Sequence, residues 1–171
     1  MTSLVSAVII AFGSLPVLWV SRRSLLRPSS YGFFRFFAVE AILVLIVLNA
    51  PNWFAQPFAL RQLASWFLFL AAVLTVISGS LTLRRRRKDQ GGLVTSGPYR
   101  YIRHPLYAAL LLLGWSAFLK DVCPPTLGLI AVATAALVAT AKAEEAENLR
   151  RFGHVYRDYT ARTHLFVPFV F

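Results

Sequence analysis

Long apolar runs separated by short basic segments set the pattern of this chain. Five runs approach the roughly 17–25 residues that a membrane-spanning helix needs, at about 4–20, 36–50, 63–83, 105–120 and 125–143. The fourth run is short and would need its flanking residues to cross a bilayer. The pattern predicts an all-α, polytopic membrane protein with about five transmembrane helices and a C-terminal cytoplasmic helical segment.

Basic residues indicate which loops face the cytoplasm. The first loop, the third loop and the C-terminal tail are rich in arginine, whereas the second loop has only Arg61 and the fourth has Lys120 beside Asp121. Because positively charged loops stay on the cytoplasmic side, we expect the N-terminus outside and the C-terminus inside. The first run follows no basic residue and precedes no convincing cleavage site, which favours a retained span over a signal peptide.

The composition agrees with a membrane protein. Apolar residues make up 57% of the chain and charged residues 15%, whereas soluble domains have about a quarter charged. The net charge of +11 would suggest nucleic acid in a soluble protein, but lipid headgroups explain basic residues that flank apolar runs, so no nucleic-acid partner is expected. Cys123 is the only cysteine, and no cluster has metal-ligand spacing, so neither an intramolecular disulfide nor a metal is expected.

We expect one membrane domain over residues 1–171, with an N-terminal three-helix part at 1–83 and a C-terminal part at 84–171. Between them, the polar and glycine-rich stretch 88–92 is predicted to be a loop. The apolar end of the sequence, 165–171, is predicted to fold back against the bundle or the membrane interface.

Two adjacent prolines, Pro124 and Pro125, mark a tight turn between the last two runs, because proline suits only the first turn of a helix. About twenty residues on each side, or about 30 Å at 1.5 Å per residue, lead back to His104 and on to the pair Glu144–Glu145. These side chains are therefore predicted to meet at the cytoplasmic membrane face. The last helix is predicted to continue out of the membrane and break near Gly153, before a second short helix.

Two clusters rich in tyrosine and charge thus converge in this prediction. Taken singly, the tyrosines suit an interfacial aromatic belt, and His104 suits the start of a helix. The glutamates suit a solvated helix face on which Glu147 and Arg151 form an ion pair. Glu40, near the start of the second run, suits an interfacial residue or a partner for Arg35 or Arg103. Taken together, the two clusters are hard to explain by membrane anchoring alone. Their members are Tyr99, Arg100, Tyr101, Arg103, His104 and Tyr107, and Glu144, Glu145, Glu147, Tyr156 and Tyr159.

The stretches LVTSGPYRYIRHPLY (93–107) and EEAENLRRFGHVYRDYTARTHLFVPF (144–169) resemble the isoprenylcysteine carboxyl methyltransferase and phospholipid methyltransferase group of membrane enzymes. Asn148 departs from the leucine that is frequent in that group. The resemblance implies S-adenosylmethionine as methyl donor, enclosed by the last two spans and the C-terminal segment, and a lipophilic acceptor that enters from the bilayer. It implies cofactor contacts by Tyr99, Arg103, His104, Tyr107, Glu144, Glu145, Tyr156 and Tyr159, with Arg103, Glu144 and Glu145 as catalytic residues.

The residue types suit that cofactor. The carboxylate of the cofactor can be bound by Arg103, His104 and the N-terminus of the fourth helix. Its ammonium or ribose hydroxyls can be bound by Glu144 or Glu145. Tyrosine rings can stack on adenine or face the sulfonium. Three methyl acceptors are compatible with these residues: a prenylated cysteine carboxylate, a phospholipid amine and a thiol. The carboxylate needs no base, whereas the amine must first lose a proton.

Two other functions fit parts of this pattern. A membrane reductase of the sterol type shares a similar C-terminal end and uses NADPH, although such proteins are longer and have more spans. A small basic scaffold that holds anionic lipid would need no bound cofactor and would tolerate charge-preserving substitutions.

Overall fold

Every predicted apolar run lies in a helix. The computed structural model describes residues 3–27, 30–87 and 92–167, and within these ranges the elements are six α-helices and two short 3-10 helices. The all-α prediction is confirmed. The helices are α1 (Ser3–Leu25), α2 (Tyr31–Asn49), α3 (Leu60–Arg87), α4 (Pro105–Phe118), α5 (Pro124–Phe152) and α6 (His154–Thr160), and the 3-10 helices are Ala50–Asn52 and Gly97–Arg100.

Two predicted segments fall partly outside the described residues. The loop predicted at 88–92 lies mostly in 88–91, and the end of the predicted fold-back lies in 168–171. The remaining part of that fold-back is described, and there Leu165 and Phe166 are buried against the helices.

Four of the helices, α1, α2, α3 and α5, are long and apolar enough to cross a membrane. Helix α4 has 14 residues, or about 21 Å at 1.5 Å per residue, which is less than the roughly 30 Å of a bilayer core. The prediction that the fourth apolar run is short is therefore confirmed. The direction in which the chain threads the bilayer stays a prediction.

The outward faces of the long helices are apolar. On α3, Phe67, Leu70 and Leu74 are exposed, and within residues 4–25 of α1 only Ser21 is buried. In water, an apolar surface of this extent would drive association, whereas in a bilayer the lipid chains cover it. The fold is that of a membrane protein.

The centre of the bundle is the contact of α2 with α5. Small residues, Ala38 and Ala41 on α2 and Ala133 on α5, allow the two backbones to approach closely. Helix α3 packs on α4, while α1 packs on α2 at the periphery.

The suggested pairing of Glu40 with Arg35 or Arg103 is not formed among the described residues. Glu40 accepts a hydrogen bond from Ser14 Oγ of α1 at 2.7 Å, because its side of α2 faces α1. The two arginines suggested as its partners have other contacts: Arg103 pairs with Glu145, and the Arg35 guanidinium carbon lies 5.7 Å from the centroid of the Tyr31 ring.

The predicted helical hairpin is confirmed. Helix α5 begins at Pro124, and Cys123 N donates to Thr126 Oγ1 at 3.1 Å, which caps the first turn of α5. Further along the chain, α5 ends at Phe152, and Gly153 adopts φ +57°. A side chain rarely tolerates this backbone conformation, so glycine permits the sharp break before α6.

A buried lysine lies at the opposite end of α4 from His104. Lys120 is 1% exposed, and its Nζ lies 3.7 Å from the centroid of the Trp66 ring and 5.3 Å from that of Trp53. It donates to Gln62 Oε1 at 3.0 Å and to the Trp53 carbonyl at 3.4 Å. Lys120 therefore ties the connection between α2 and α3 to the end of α4.

Candidate functional site

The C-terminal segment is paired with the residues that lead into α4. Ile102 and His164 form a parallel bridge. Arg103 N donates to the His164 carbonyl at 2.8 Å, and His104 N donates to the Leu165 carbonyl at 3.2 Å. This bridge holds the chain beyond α6 against the start of α4, where the two predicted polar clusters meet.

Arg103 joins three parts of the chain through one guanidinium group. Its Nε donates to Glu145 Oε1 on α5. Its Nη1 donates to the Thr163 carbonyl and, at 3.3 Å, to the Thr160 carbonyl. A planar guanidinium can satisfy acceptors in these different directions at once, so Arg103 fixes α5 and the segment after α6 relative to α4.

His104 is buried with an unpartnered ring nitrogen. It is 6% exposed, and its Nε2 has no hydrogen-bond partner among the described residues. The nearest carboxylate oxygen, Glu145 Oε1, lies 3.6 Å away. The ring stacks on Tyr107 with centroids 5.5 Å apart and planes 14° from parallel. The orientation of the imidazole is therefore set by packing.

The adjacent residues Glu144 and Glu145 have different contacts. Glu145 faces Arg103 and His104, whereas Glu144 accepts a hydrogen bond from the Tyr107 hydroxyl at 2.6 Å. Glu144 also lines a cavity, which Glu145 does not. Glu145 is therefore placed to position its neighbours, whereas Glu144 faces the cavity.

This cavity, which we call the inner cavity, lies between the start of α4, the exposed end of α5 and α6. Its volume is about 220 Å³. Positive, negative and aromatic side chains all face it. Its lining consists of Gly92, Leu93, Val94, Tyr99, Arg103, His104, Glu144, Asn148, Arg151, Phe152, Tyr156 and Tyr159.

Comparison with known protein families assigns the sequence to one of them. The sequence profile of a family described as "Protein of unknown function (DUF1295)" matches residues 18–163, which include every residue that lines the inner cavity. The chain belongs to the DUF1295 family. No curated protein matches it. The DUF1295 description gives no activity.

The structure brings together all the residues for which the sequence implied cofactor contacts. Six of them line the inner cavity of this DUF1295 protein: Tyr99, Arg103, His104, Glu144, Tyr156 and Tyr159. The other two, Tyr107 and Glu145, lie behind the wall and bond to lining residues, Tyr107 to Glu144 and Glu145 to Arg103.

The sequence interpretation missed several lining residues. Asn148 and Arg151 follow Glu144 by four and seven residues on α5, and that spacing places them on one helix face. The helical period could therefore have identified them. Within the described residues, no three side chains of the metal-ligating types come together.

A larger groove adjoins the inner cavity. The two share Leu93 and Tyr159, and the groove has a volume of about 900 Å³. Tyr159 is held between them by a hydrogen bond from its hydroxyl to the Tyr99 carbonyl, 2.7 Å long. The basic side chains of the groove are Arg100, His154 and Arg162.

Alkaline pH is expected to lower the stability of the folded protein through the tyrosines of this site. Burial, together with the charge of Glu144, raises the pKa of Tyr99 to about 12, and burial, together with Glu145, raises the pKa of Tyr156 to about 12. Unfolded tyrosine titrates near 10. The folded protein therefore retains protons that the unfolded chain releases, so this stabilisation is complete below about pH 10 and falls as the pH rises toward 12.

The check is the thermal midpoint in detergent across this pH window, with tyrosinate absorbance recorded in parallel. Tyr99→Phe should reduce the alkaline loss of stability. Tyr101→Phe, at an exposed tyrosine two residues away, is the matched control and should not. An identical pH profile in wild type and Tyr99→Phe would contradict the assignment.

Proposed function

We propose that this protein is an S-adenosylmethionine-dependent methyltransferase acting on a lipophilic acceptor, an isoprenylcysteine-like carboxylate or a phospholipid amine, at the cytoplasmic membrane face. The observation that carries the proposal is the lining of the inner cavity, in which basic side chains, the Glu144 carboxylate and three tyrosines surround one space. Such a mixture suits a ligand that carries a carboxylate, an ammonium and an aromatic base.

The charges around the cavity match the two ends of an amino-acid group. His104 and the free N–H groups at the start of α4 favour a carboxylate. Glu144 favours an ammonium or ribose hydroxyls. Because Arg103 already pairs with Glu145, it neutralises that carboxylate and leaves Glu144 as the acidic residue in the lining.

The size of the cavity constrains how such a cofactor could bind. Typical small-molecule sites measure roughly 300–1,000 Å³, and the inner cavity is smaller, at about 220 Å³. It fits one end of the cofactor. The remainder would extend into the groove beyond Tyr159, which requires breaking the hydrogen bond between Tyr159 and the Tyr99 carbonyl.

The protein's own contribution to the reaction would be alignment and exclusion of water. When bound, the cofactor supplies an electrophilic methyl group for an in-line displacement. Arg103 and Glu145 would hold the start of α4 and the end of α5 at a fixed separation, and the tyrosines would cover the reacting centre. Such alignment can contribute several kcal/mol to catalysis, up to about 7–11 kcal/mol in the best intramolecular cases.

The test is calorimetry with S-adenosylhomocysteine on the purified full chain. Wild type should bind, and Glu145→Gln should bind about tenfold or more weakly, because the loss of its charge frees Arg103 and removes the anion beside His104. The control, Asp121→Asn, makes the same chemical change in the turn at the opposite end of the α4–α5 hairpin and should leave affinity unchanged. Absence of binding to wild type would refute the proposal, and unchanged affinity in Glu145→Gln would remove that residue from the site.

One observation favours a second candidate, a reductase that uses NADPH. The guanidinium groups of Arg100 and Arg162 and the imidazole of His154 line the groove, and guanidinium groups suit phosphates, which S-adenosylmethionine lacks. Thermal stabilisation by each ligand separates the candidates, since a ligand that binds the folded state raises its stability. Stabilisation by NADPH alone would assign the protein to the reductases, and stabilisation by neither would favour a scaffold.

A further inference from the structure

Tyr159 forms part of the partition between the inner cavity and the larger groove. The linings of both spaces include Tyr159 and Leu93. The inner cavity measures about 220 Å³, whereas the groove measures about 900 Å³. The partition therefore divides a small polar space from a much larger one, and the position of one tyrosine side chain decides whether they are continuous.

One hydrogen bond holds the partition closed. The Tyr159 hydroxyl donates to the Tyr99 carbonyl at 2.7 Å, which is a normal length for a bond between a hydroxyl and an oxygen acceptor. Tyr99 lies in the 3-10 helix before α4, and its side chain lines the inner cavity. This bond, which we call the gate bond, links α6 to the segment that leads into α4.

The backbone on each side of the gate bond is fixed by other contacts. Gly97 has φ +59°, and a Cβ atom there would lie 2.5 Å from Thr82 Oγ1 of α3. Glycine suits both conditions, so the turn that carries the acceptor carbonyl packs directly on α3. On the other side, the Tyr159 carbonyl accepts a hydrogen bond from Thr163 Oγ1 at 2.7 Å, and Arg103 binds carbonyls of the segment that follows. The partition can therefore open by rotation of the Tyr159 side chain alone.

The surroundings of the Tyr159 ring allow this rotation toward the groove. On the side of the inner cavity the ring packs against that of Tyr156, with centroids 5.9 Å apart, and Tyr156 is buried. The groove side is more open, since Tyr101 and Val155 in its lining are exposed. The Tyr159 ring can therefore turn into the groove, whereas Tyr156 stays in place as a wall.

Both sides of the partition present arginines that have no ionic partner among the described residues. Arg151 lines the inner cavity, and its predicted ion pair with Glu147 is not formed. Arg100 and Arg162 line the groove, also without an ion pair. Unpaired charges on either side of Tyr159 favour a ligand that reaches across it.

We propose that the gate bond controls the length of ligand that this site accepts. With the bond formed, the inner cavity takes only a group that fits within about 220 Å³. With the bond broken, the cavity and the groove become continuous, and a ligand as long as S-adenosylmethionine fits. The gate rests on the proposed function, since the long ligand is the cofactor of that reaction.

The gate reverses the usual effect of changing a residue in a binding site. Truncating a lining side chain normally removes a contact and weakens binding. Here the free protein is held in the closed form, and the apparent affinity for a long ligand falls with the fraction of protein that is open. Removing the Tyr159 hydroxyl while keeping its ring should therefore strengthen binding, by about two- to tenfold for the loss of one neutral hydrogen bond.

Calorimetry with S-adenosylhomocysteine on the purified full chain tests this reversal. Tyr159→Phe should bind about two- to tenfold more tightly than wild type. The matched control is Tyr156→Phe, which removes a hydroxyl from the same cavity but not from the gate bond, and it should not bind more tightly. Unchanged or weaker binding by Tyr159→Phe, or an equal gain in Tyr156→Phe, would overturn the gate.

The rate of thiol modification tests the gate without the cofactor. In a Cys123→Ser background, which lacks the native cysteine, Asn148→Cys places one thiol in the lining of the inner cavity. Adding Tyr159→Phe should raise the rate of reaction with bulky fluorescein maleimide by about twofold or more. The rate with small methyl methanethiosulfonate should stay the same, because a small reagent does not need the two spaces to be continuous. An equal rise for both reagents, or no rise for the bulky one, would overturn the gate.

The two measurements separate the gate from the proposed function. If neither wild type nor Tyr159→Phe binds S-adenosylhomocysteine but the thiol rates change as expected, the methyltransferase proposal fails and the gate stands. If wild type binds and Tyr159→Phe changes neither the affinity nor the thiol rates, only the gate fails.

Discussion

Arg103→Met is expected to abolish the binding of S-adenosylhomocysteine that the proposed function requires and to lower the stability of the folded protein by about 1.5–3 kcal/mol. The substitution leaves Glu145 without its cation and the Thr160 and Thr163 carbonyls without their donor. The Glu145 carboxylate is partly withdrawn from water, so the loss of its partner is only partly offset by hydration. The measurements are the thermal midpoint in detergent and calorimetry with the ligand.

Arg100→Met is the matched control, because Arg100 is an exposed arginine three residues earlier whose guanidinium contacts only the Tyr101 ring among the described side chains. It should keep near-wild-type stability. Arg103→Lys should be intermediate, since an ammonium keeps the charge but not the forked geometry. Equal stability losses in Arg103→Met and Arg100→Met would show that the arrangement around Arg103 has no special role.

Lys120→Ala is expected to lower stability by about 3–5 kcal/mol without affecting ligand binding at the other end of α4. The change removes the packing of the lysine stem between two tryptophans and the cation–π contact with Trp66. It also removes the hydrogen-bond donor to the side-chain oxygen Oε1 of Gln62. Thermal unfolding followed by tryptophan fluorescence measures the loss, because Trp53 and Trp66 themselves report it.

Lys120→Met separates the contributions, since methionine keeps much of the stem volume but neither the charge nor the hydrogen bond. It should recover part of the loss. Lys142→Ala, at an exposed lysine on α5, is the control and should change the midpoint little. A Lys120→Ala protein as stable as wild type would mean that the cost of burying the ammonium cancels all of these contacts.

Local rules of sequence were enough to predict the helices. Apolar run length predicted α1 to α5, proline at 124 predicted the start of α5, and glycine at 153 predicted its end. The meeting of His104 with Glu145 followed from equal distances along two antiparallel helices. Such features depend on the chain within a few turns, and sequence patterns contain that information.

Contacts between distant segments could not be predicted in this way. The bridge between Ile102 and His164 depends on how α6 turns the chain back, and no local pattern encodes it. For the same reason the sequence left Glu144 and Glu145 interchangeable. In the sequence, Lys120 counted only as a positive charge of the fourth loop, although the fold buries its side chain. The contacts of Glu144, Glu145 and Lys120 depend on the direction in which each side chain leaves its helix or turn, and that direction is set by packing.

The bridge between Ile102 and His164 has a consequence for biosynthesis. The segment that bridges to the start of α4 is translated after all of the apolar helices, because the carbonyls of His164 and Leu165, which bind the backbone N–H groups of Arg103 and His104, follow α6 in the chain. A chain terminated just after Thr163 would therefore contain every apolar helix of the bundle and still lack both of these carbonyl partners.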